Sequence, residues 1–174
     1  TKNFKKKLKN YNKEQFNELV NHSKEISKAL EKTNFKTPKV LKFSKNIIYY
    51  EFLEMPIRVD EMWKKNLNLD ENIFKEIGKM LRSIHNAHVE KLLHGDYVLH
   101  NIFLNAEYDL FIIDCHPPEV IGYEKSYLYG DGHLEMNLFL LNITGSLGLK
   151  LSLKNIQSVK LAIRNFRIGY GSKV

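Results

Sequence analysis

Apolar positions in the first third of the chain follow first a strand spacing, then a helical one, then a strand spacing again. Residues 3–9 predict a short strand with Phe4 and Leu8 on one face. Residues 13–32 predict an amphipathic helix, because apolar side chains recur there every three or four positions; they are Phe16, Leu19, Val20, Ile26 and Leu30. Thr37-Pro38 ends this pattern. Residues 40–43 and 47–53 predict two strands joined by a turn at 44–46.

The rest of the chain is predicted to be mainly helical. An apolar stripe predicts a helix from Asp70, as N-cap, to about Ala87; its members are Ile73, Phe74, Ile77, Met80, Leu81 and Ile84. Residues 102–104 and 110–113 predict a small hairpin, 115–132 a loop, and 134–143 and 153–168 two more helices. The order predicts an α+β fold with a small N-terminal lobe of few strands at 1–55 and a mainly helical C-terminal lobe at 56–174. Met55-Pro56 is the expected hinge.

Length and composition indicate one compact domain. The chain has 174 residues, of which 43% are hydrophobic, enough to form a real core. The single cysteine, Cys115, excludes an internal disulfide framework and fits a reducing compartment. The sequence contains no run of about 18 apolar residues, so it indicates no transmembrane helix. The basic N-terminal stretch leads into no apolar segment of the kind found in signal peptides. We therefore expect a cytoplasmic protein.

The charge is clearly basic, at +7 with 27 Lys and Arg against 20 Asp and Glu. Such a surface attracts phosphates, nucleic acid or an anionic membrane. Five lysines fall within residues 2–9, but no stacking aromatic pattern interleaves them. A solvated lysine-rich surface is therefore the simpler interpretation. Nucleic acid is not an expected partner, and weak contact with a membrane surface stays open.

The densest polar cluster lies in residues 92–119. Asp96 and Asn101 are five residues apart in a loop that follows a helix, and Asp114 ends the apolar strand at 110–113. Phosphoryl transfer requires a carboxylate that orients the attacking hydroxyl and accepts its proton, together with oxygen ligands for Mg²⁺. Asp96 suits the catalytic role, and Asn101 and Asp114 suit the metal role. Zinc is disfavoured, because the nearby His and Cys residues match no common zinc spacing.

These motifs resemble a known family. The stretch His94-Gly95-Asp96-x-x-x-x-Asn101, followed by Ile112-Ile113-Asp114, resembles the aminoglycoside phosphotransferase and choline kinase group, which has a protein kinase-like fold. The preceding helix, which ends in Ile84-His85, is similar to the helix before the catalytic loop in that group. The resemblance implies ATP and Mg²⁺ as cofactors. It also implies phosphorylation of a hydroxyl on a small molecule, such as a sugar, a lipopolysaccharide core, an aminoglycoside or a choline-like acceptor.

The resemblance further implies residues that hold the adenine base. Backbone groups of Glu51 and Leu53 would pair with adenine, because residues 49–54 are similar to the last N-lobe strand and hinge of that group. Phe103 and Ile113 would pack against the adenine ring.

A lysine and an acid are implied at the phosphates. Lys6 would hold the α- and β-phosphates, and Glu25 on the long helix would pair with that lysine. Spacing leaves alternatives for both roles: Lys5, Lys7 and Lys9 for the lysine, and Glu18 for the acid.

Several departures bear on the class of kinase. Gly95 stands where protein kinases carry the Arg of their His-Arg-Asp motif, and Val98 stands where serine/threonine kinases usually carry Lys. No Ala-Pro-Glu motif follows. These differences favour a small-molecule kinase over a minimal, atypical protein kinase. No glycine-rich loop precedes the first strand, so a catalytically inactive module that binds a nucleotide or a partner is a further alternative.

Three residues around the catalytic loop are expected to be structural. Glu135 is expected to support the loop, with Asp131 as the alternative. His94 is expected to brace the loop rather than transfer protons. His85 is expected to be a core histidine with its hydrogen bonds satisfied.

Overall fold

The computed structural model describes residues 3–54, 57–65, 71–105, 107 and 109–172. Six strands and six α-helices lie in these ranges, with three short 3₁₀ turns between them. The strands are β1 (Asn3–Lys7), β2 (Val40–Ser44), β3 (Ile47–Glu51), β4 (Ile57–Arg58), β5 (Ile102–Leu104) and β6 (Leu110–Ile112). The helices are α1 (Lys13–Leu30), α2 (Val59–Lys65), α3 (Glu71–His85), α4 (Gly132–Gly145), α5 (Leu149–Lys154) and α6 (Ile156–Tyr170).

The N-terminal part is a three-stranded antiparallel sheet with α1 against it. The strand order is β1-β3-β2, so β3 is central. Helix α1 begins in a capping box, in which the Asn12 side chain accepts from the Gln15 N–H and the Gln15 side chain accepts from the Asn12 N–H. A small apolar cluster joins the helix to the sheet; its buried members are Leu8, Tyr11, Phe16, Leu19, Val20, Ile48 and Leu128.

A second antiparallel sheet, in the order β4-β5-β6, follows along the chain. The segment after α1 joins this sheet at Lys36. The Lys36 N–H donates to the Leu110 carbonyl at 3.0 Å, and the Ile112 N–H donates to the Lys36 carbonyl at 2.9 Å. Backbone hydrogen bonds therefore hold the connection between α1 and β2 against β6 of the second sheet.

The C-terminal part is helical and contains the larger core. Helices α3 and α6 make its most extensive contact, and two glycines set how closely they approach. A Cβ at Gly78 would overlap the Phe166 carbonyl oxygen, and a Cβ at Gly169 would overlap the Lys75 carbonyl oxygen. The two backbones are therefore in direct contact, which any larger residue would prevent.

Most predicted elements are confirmed. The α+β class, the long first helix, the turn at 44–46 and the hairpin at 102–113 all match the structure. The sequence analysis assigned no element to 57–65, where the structure has β4 and α2. It also began the last helix at 153, whereas α5 ends at Lys154 and α6 begins at Ile156. The hinge at Met55-Pro56 and the cap at Asp70 lie outside the described residues.

Across the described ranges, every helix is too short or too polar to cross a membrane.

Candidate active site

Asp96 and Asn101 lie in the loop between α3 and β5 and are bonded to each other. The Asn101 Nδ2 donates to the Asp96 Oδ2 at 2.9 Å and to the Asp96 backbone carbonyl at 3.0 Å. A short 3₁₀ turn at Leu99–Asn101 leads directly into β5 and fixes the asparagine. Burial raises the pKa of Asp96, and the bond from Asn101 opposes that shift. The loop therefore holds one carboxylate in a fixed orientation and makes it more basic than a solvated aspartate.

Asp114 follows β6 and faces the same loop. The Ile113 N–H donates to the Asn101 carbonyl at 3.0 Å, which ties the end of β6 to the start of β5. Asp114 has a φ of +58°, an uncommon conformation for a residue with a side chain. Its Oδ2 lies 2.8 Å from Lys6 Nζ on β1. Backbone hydrogen bonds therefore bring the three predicted polar residues of this cluster to one place.

Glu135 on α4 holds the loop from behind. Its carboxylate accepts the backbone N–H groups of His94 at 3.0 Å and Gly95 at 2.7 Å, and it accepts from His85 Nε2 at 2.8 Å. Burial raises the pKa of Glu135, but the bond with His85 and the nearby His94 outweigh it, so the pKa lies below its usual value. The predicted support by Glu135 is confirmed, and Asp131 instead caps α4.

His85 and His94 have the structural roles that the sequence predicted. His85 bonds Glu135 through Nε2 and the Tyr170 hydroxyl through Nδ1, so it is a satisfied core residue. His94 is fully buried and accepts the Asp96 N–H at its Nδ1. Burial lowers the pKa of His94 to about 4, so the ring is neutral near pH 7.

Gly95 is required by the turn that follows Asp114. It has a φ of +89°, and a Cβ there would lie 2.8 Å from the Pro117 nitrogen. An arginine, which protein kinases carry at this position, would clash with that turn. The close approach of the Pro117 backbone therefore requires glycine at the middle position of the His-Gly-Asp motif.

An apolar cleft opens beside Asp114. Its cavity volume is about 100 Å³, which is smaller than most ligand pockets, and the cleft is partly open to solvent. The residues that line it come from β1, α1, the connection from α1 to β2, β3 with the two residues after it, and the segment after β6; they are Phe4, Ser23, Thr37, Pro38, Tyr50, Glu51, Phe52, Leu53, Ile113, Asp114 and Cys115. Burial raises the pKa of the Cys115 thiol to about 12, so the sulfur that this residue contributes to the cleft is uncharged near pH 7.

Three of the four residues predicted at the base border this cleft. Glu51, Leu53 and Ile113 line it, and Phe103 is not among the described lining residues. Phe103 lies in the middle of β5, opposite Arg58 and Phe111 in the neighbouring strands. The cleft is formed by Ile113 and by elements outside that small sheet. The structure therefore does not bring Phe103 to the predicted contact.

The predicted pairing of Lys6 with Glu25 is wrong in this structure. Lys6 pairs with Asp114, whereas the Glu25 carboxylate accepts from the Tyr129 hydroxyl at 2.6 Å. Glu18 lies beside Glu25 along the same surface depression, so the alternative acid also faces away from Lys6. The rotation of α1 on the sheet presents both acids to Tyr129 and not to the cleft.

Sequence reasoning missed the part of α1 that does face the site. His22 and Ser23 are buried among the apolar positions of that helix, and Ser23 lines the cleft. The signal was available, because positions 19, 22 and 26 share one helical face and His22 is its polar member.

Comparison with known proteins agrees with the architecture. A family model described as RIO domain matches residues 1–119. RIO domains are kinase-like, and this confirms the predicted kinase-like fold. The match gives no support to the narrower resemblance to the aminoglycoside phosphotransferase and choline kinase group. No curated protein matches the sequence.

Proposed function

The chain belongs to the RIO domain family, and on this basis we propose that it is an ATP- and Mg²⁺-dependent phosphotransferase of the atypical protein kinase type. The observation that carries the proposal is the bonded pair of Asp96 and Asn101 facing Asp114 and Lys6. Phosphoryl transfer depends mainly on positioning and on neutralisation of charge, and these four side chains offer a base, two oxygen donors and a cation.

The apolar cleft suits an adenine base. Its lining is mainly apolar and includes Glu51 and Leu53. The Glu51 N–H already donates to the Lys39 carbonyl at 2.8 Å. Glu51 would therefore offer a base its carbonyl oxygen, which can accept from an amino group such as that of adenine.

The donor set near Asp114 suits Mg²⁺. Hard cations prefer oxygen ligands, and Asp114 supplies a carboxylate. The Asn101 Nδ2 is engaged with Asp96, so the Asn101 Oδ1 is the amide atom that would face a cation. When bound, ATP and Mg²⁺ would supply the transferable phosphoryl group and the charge that neutralises it. Lys6 would turn from Asp114 to the phosphates.

Asp96 is the proposed base. Its carboxylate would accept the proton of the attacking hydroxyl, and the raised pKa strengthens it as a proton acceptor. The bond from Asn101 fixes the Oδ2 atom and leaves Oδ1 to face the acceptor hydroxyl.

Family membership favours a hydroxyl on a protein as the acceptor. A small-molecule hydroxyl is a second candidate, and one observation favours it. Gly95 and Pro117 are in such close contact that no arginine can occupy this position to read a phosphorylated activation segment. A third candidate, a nucleotide- or partner-binding module without turnover, retains the cleft but not the catalytic role of Asp96.

A labelling experiment separates these candidates. The chain is incubated with Mg²⁺ and ATP labelled at the γ-phosphate, alone, with a generic protein substrate, and with a panel of small hydroxyl compounds. Label on protein supports the proposal, and label on a metabolite alone supports the second candidate. Asp96→Asn should abolish labelling and keep the thermal shift produced by Mg·ATP. A thermal shift without labelling by the unmodified chain would leave only the binding module.

A further inference from the structure

One imidazole connects the two segments that carry the proposed catalytic and metal residues. His22 on α1 is fully buried. Its Nε2 lies 2.7 Å from the Leu93 carbonyl oxygen, and its Nδ1 lies 2.9 Å from the Cys115 carbonyl oxygen. Leu93 directly precedes the His-Gly-Asp motif, and Cys115 directly follows Asp114. The ring therefore bridges the backbone on both sides of the site.

Both partners of the ring can only accept hydrogen bonds. A neutral imidazole has one N–H, and only the imidazolium form donates to two carbonyls at once. Burial lowers the pKa of His22, and the two carbonyl contacts oppose that shift. The neutral ring therefore donates to one carbonyl at a time and keeps its other nitrogen in contact with the second, so the bridge consists of two separate contacts, one on the segment of Asp96 and one on that of Asp114.

No other described polar side chain of α1 makes a comparable link to both segments. Glu25 is bonded to Tyr129, and the Ser23 hydroxyl donates to the Leu19 carbonyl within the helix itself. Lys6, which was expected to be attached to this helix, is paired with Asp114. The polar link from the helix to the site therefore passes through His22.

We propose that His22 is a positioning residue that sets the separation between the loop of Asp96 and the turn of Asp114. This proposal rests on the phosphotransferase function proposed above. Misplacement of such a supporting group typically costs about 10–100-fold in metal affinity or activity.

Two amide variants test the two contacts separately. His22→Asn keeps a donor near the Nδ1 position and so keeps the contact to Cys115. His22→Gln keeps a donor near the Nε2 position and so keeps the contact to Leu93. His22→Asn should lower kcat roughly 10–100-fold with little change in the Kd for Mg·ATP, and His22→Gln should mainly weaken Mg·ATP binding. His22→Ala should do both.

Val20→Ala is the matched control, because Val20 is buried on the same helix in the apolar cluster that joins it to the sheet. This variant should lose stability but keep kcat and the Kd. If the Asn and Gln variants change kcat and Kd in the same proportion, or if Val20→Ala changes them as much, His22 acts only through stability and the proposal is overturned.

Hydrogen exchange distinguishes failure of this proposal from failure of the proposed function. In His22→Ala, amides at 93–96 and 114–116 should exchange faster than in Val20→Ala, whether or not the chain transfers phosphate. Equal exchange in the two variants overturns the positioning role. Faster exchange in His22→Ala, in a protein whose unmodified chain shows no turnover, supports the positioning role of His22 and rejects only the proposed phosphotransferase function.

Discussion

Lys6 Nζ lies 2.8 Å from Asp114 Oδ2, so an ion pair joins the first strand of the N-terminal sheet to the segment that follows β6. In the proposed function, the lysine would bind the phosphates of the nucleotide and the aspartate would bind its cation. In the structure each neutralises the other. Binding of a nucleotide would therefore replace this contact.

Replacing the lysine should weaken nucleotide binding with little effect on stability. We expect Lys6→Met to raise the Kd for Mg·ATP at least about tenfold, because one charge-assisted contact is lost. The pair is partly exposed, so its loss should change the free energy of unfolding by no more than about 1 kcal/mol. Titration calorimetry measures the first quantity and urea unfolding the second.

Lys36→Met is the control for this prediction. Lys36 forms a similarly short ion pair with Asp109, on the hairpin and not among the residues that line the cleft. Its replacement should leave the Kd unchanged. An equal rise in Kd for both variants would contradict a specific role for Lys6.

Replacing Gly95 should separate steric clash from backbone strain. Gly95→Ala places a Cβ at a φ of +89° and 2.8 Å from the Pro117 nitrogen. Gly122→Ala has a similar φ of +77° but no atom within 4 Å of the new Cβ. Strain alone costs about 1–3 kcal/mol. We expect Gly95→Ala to lose clearly more than Gly122→Ala in denaturant unfolding, and to lose turnover as well. Equal losses would show that Pro117 moves aside freely.

Glu135→Gln should destabilise the catalytic loop. The carboxylate accepts from two backbone N–H groups and from His85, and an amide retains only one accepting oxygen. Loss of a partner for a buried donor costs about 1–3 kcal/mol. We expect a loss of that size in unfolding experiments and a lower kcat.

Asp131→Asn is the comparison for Glu135→Gln, since Asp131 only caps α4 and asparagine also caps helices well. It should change stability and kcat little. A loss of kcat as large as that of Glu135→Gln would show that the position of α4 matters more than the bonds from Glu135.

Stability should fall as the pH is lowered from 7 toward 4. The pKa of His94 is about 4 in the folded chain against 6.5 ordinarily, so between these values the unfolded chain binds a proton that the folded chain does not. The free energy of unfolding therefore decreases with falling pH, by on the order of 3 kcal/mol for this group. His22 and His116, whose pKa values burial also lowers, act in the same direction.

Urea unfolding at pH 7 and at pH 5 checks this dependence. His94→Asn should show a smaller loss of stability between the two pH values than the unmodified chain. His88→Asn, which changes an exposed histidine, should show the same loss as the unmodified chain. An undiminished loss in His94→Asn would show that other groups cause the dependence.

The sequence predicted the elements whose patterns are long. Helix α1 and the stripe of α3 repeat over several turns, so their type was determined by local spacing. Strand β4 has two residues and α2 has seven, and neither is long enough for a period to show. Helix α2 is held by tertiary contacts instead, with Trp63 packed edge-on against Phe74 of α3.

The candidate site divides in the same way. Asp96, Asn101 and Asp114 occur close together in the sequence within one motif, and the structure brings them together. The partner of Lys6 depends on how α1 is rotated on the sheet, which spacing along the helix does not determine. Glu18 and Glu25 are seven residues apart and share one face of α1, so both predicted acids lie on the face that points away from Lys6. The buried face carries His22 instead.

The glycine crossing of α3 and α6 determines where the molecule can move. At Gly78 and Gly169 the two backbones touch, and neither helix can slide past the other without separating completely. Tyr97, one residue after Asp96, donates to the Ile77 carbonyl at 2.7 Å, which anchors the loop to this helix pair. The loop that carries the proposed base is therefore fixed to the pair of helices α3 and α6. We expect any opening that admits a ligand to come from displacement of the N-terminal sheet, which would break the ion pair of Lys6 with Asp114.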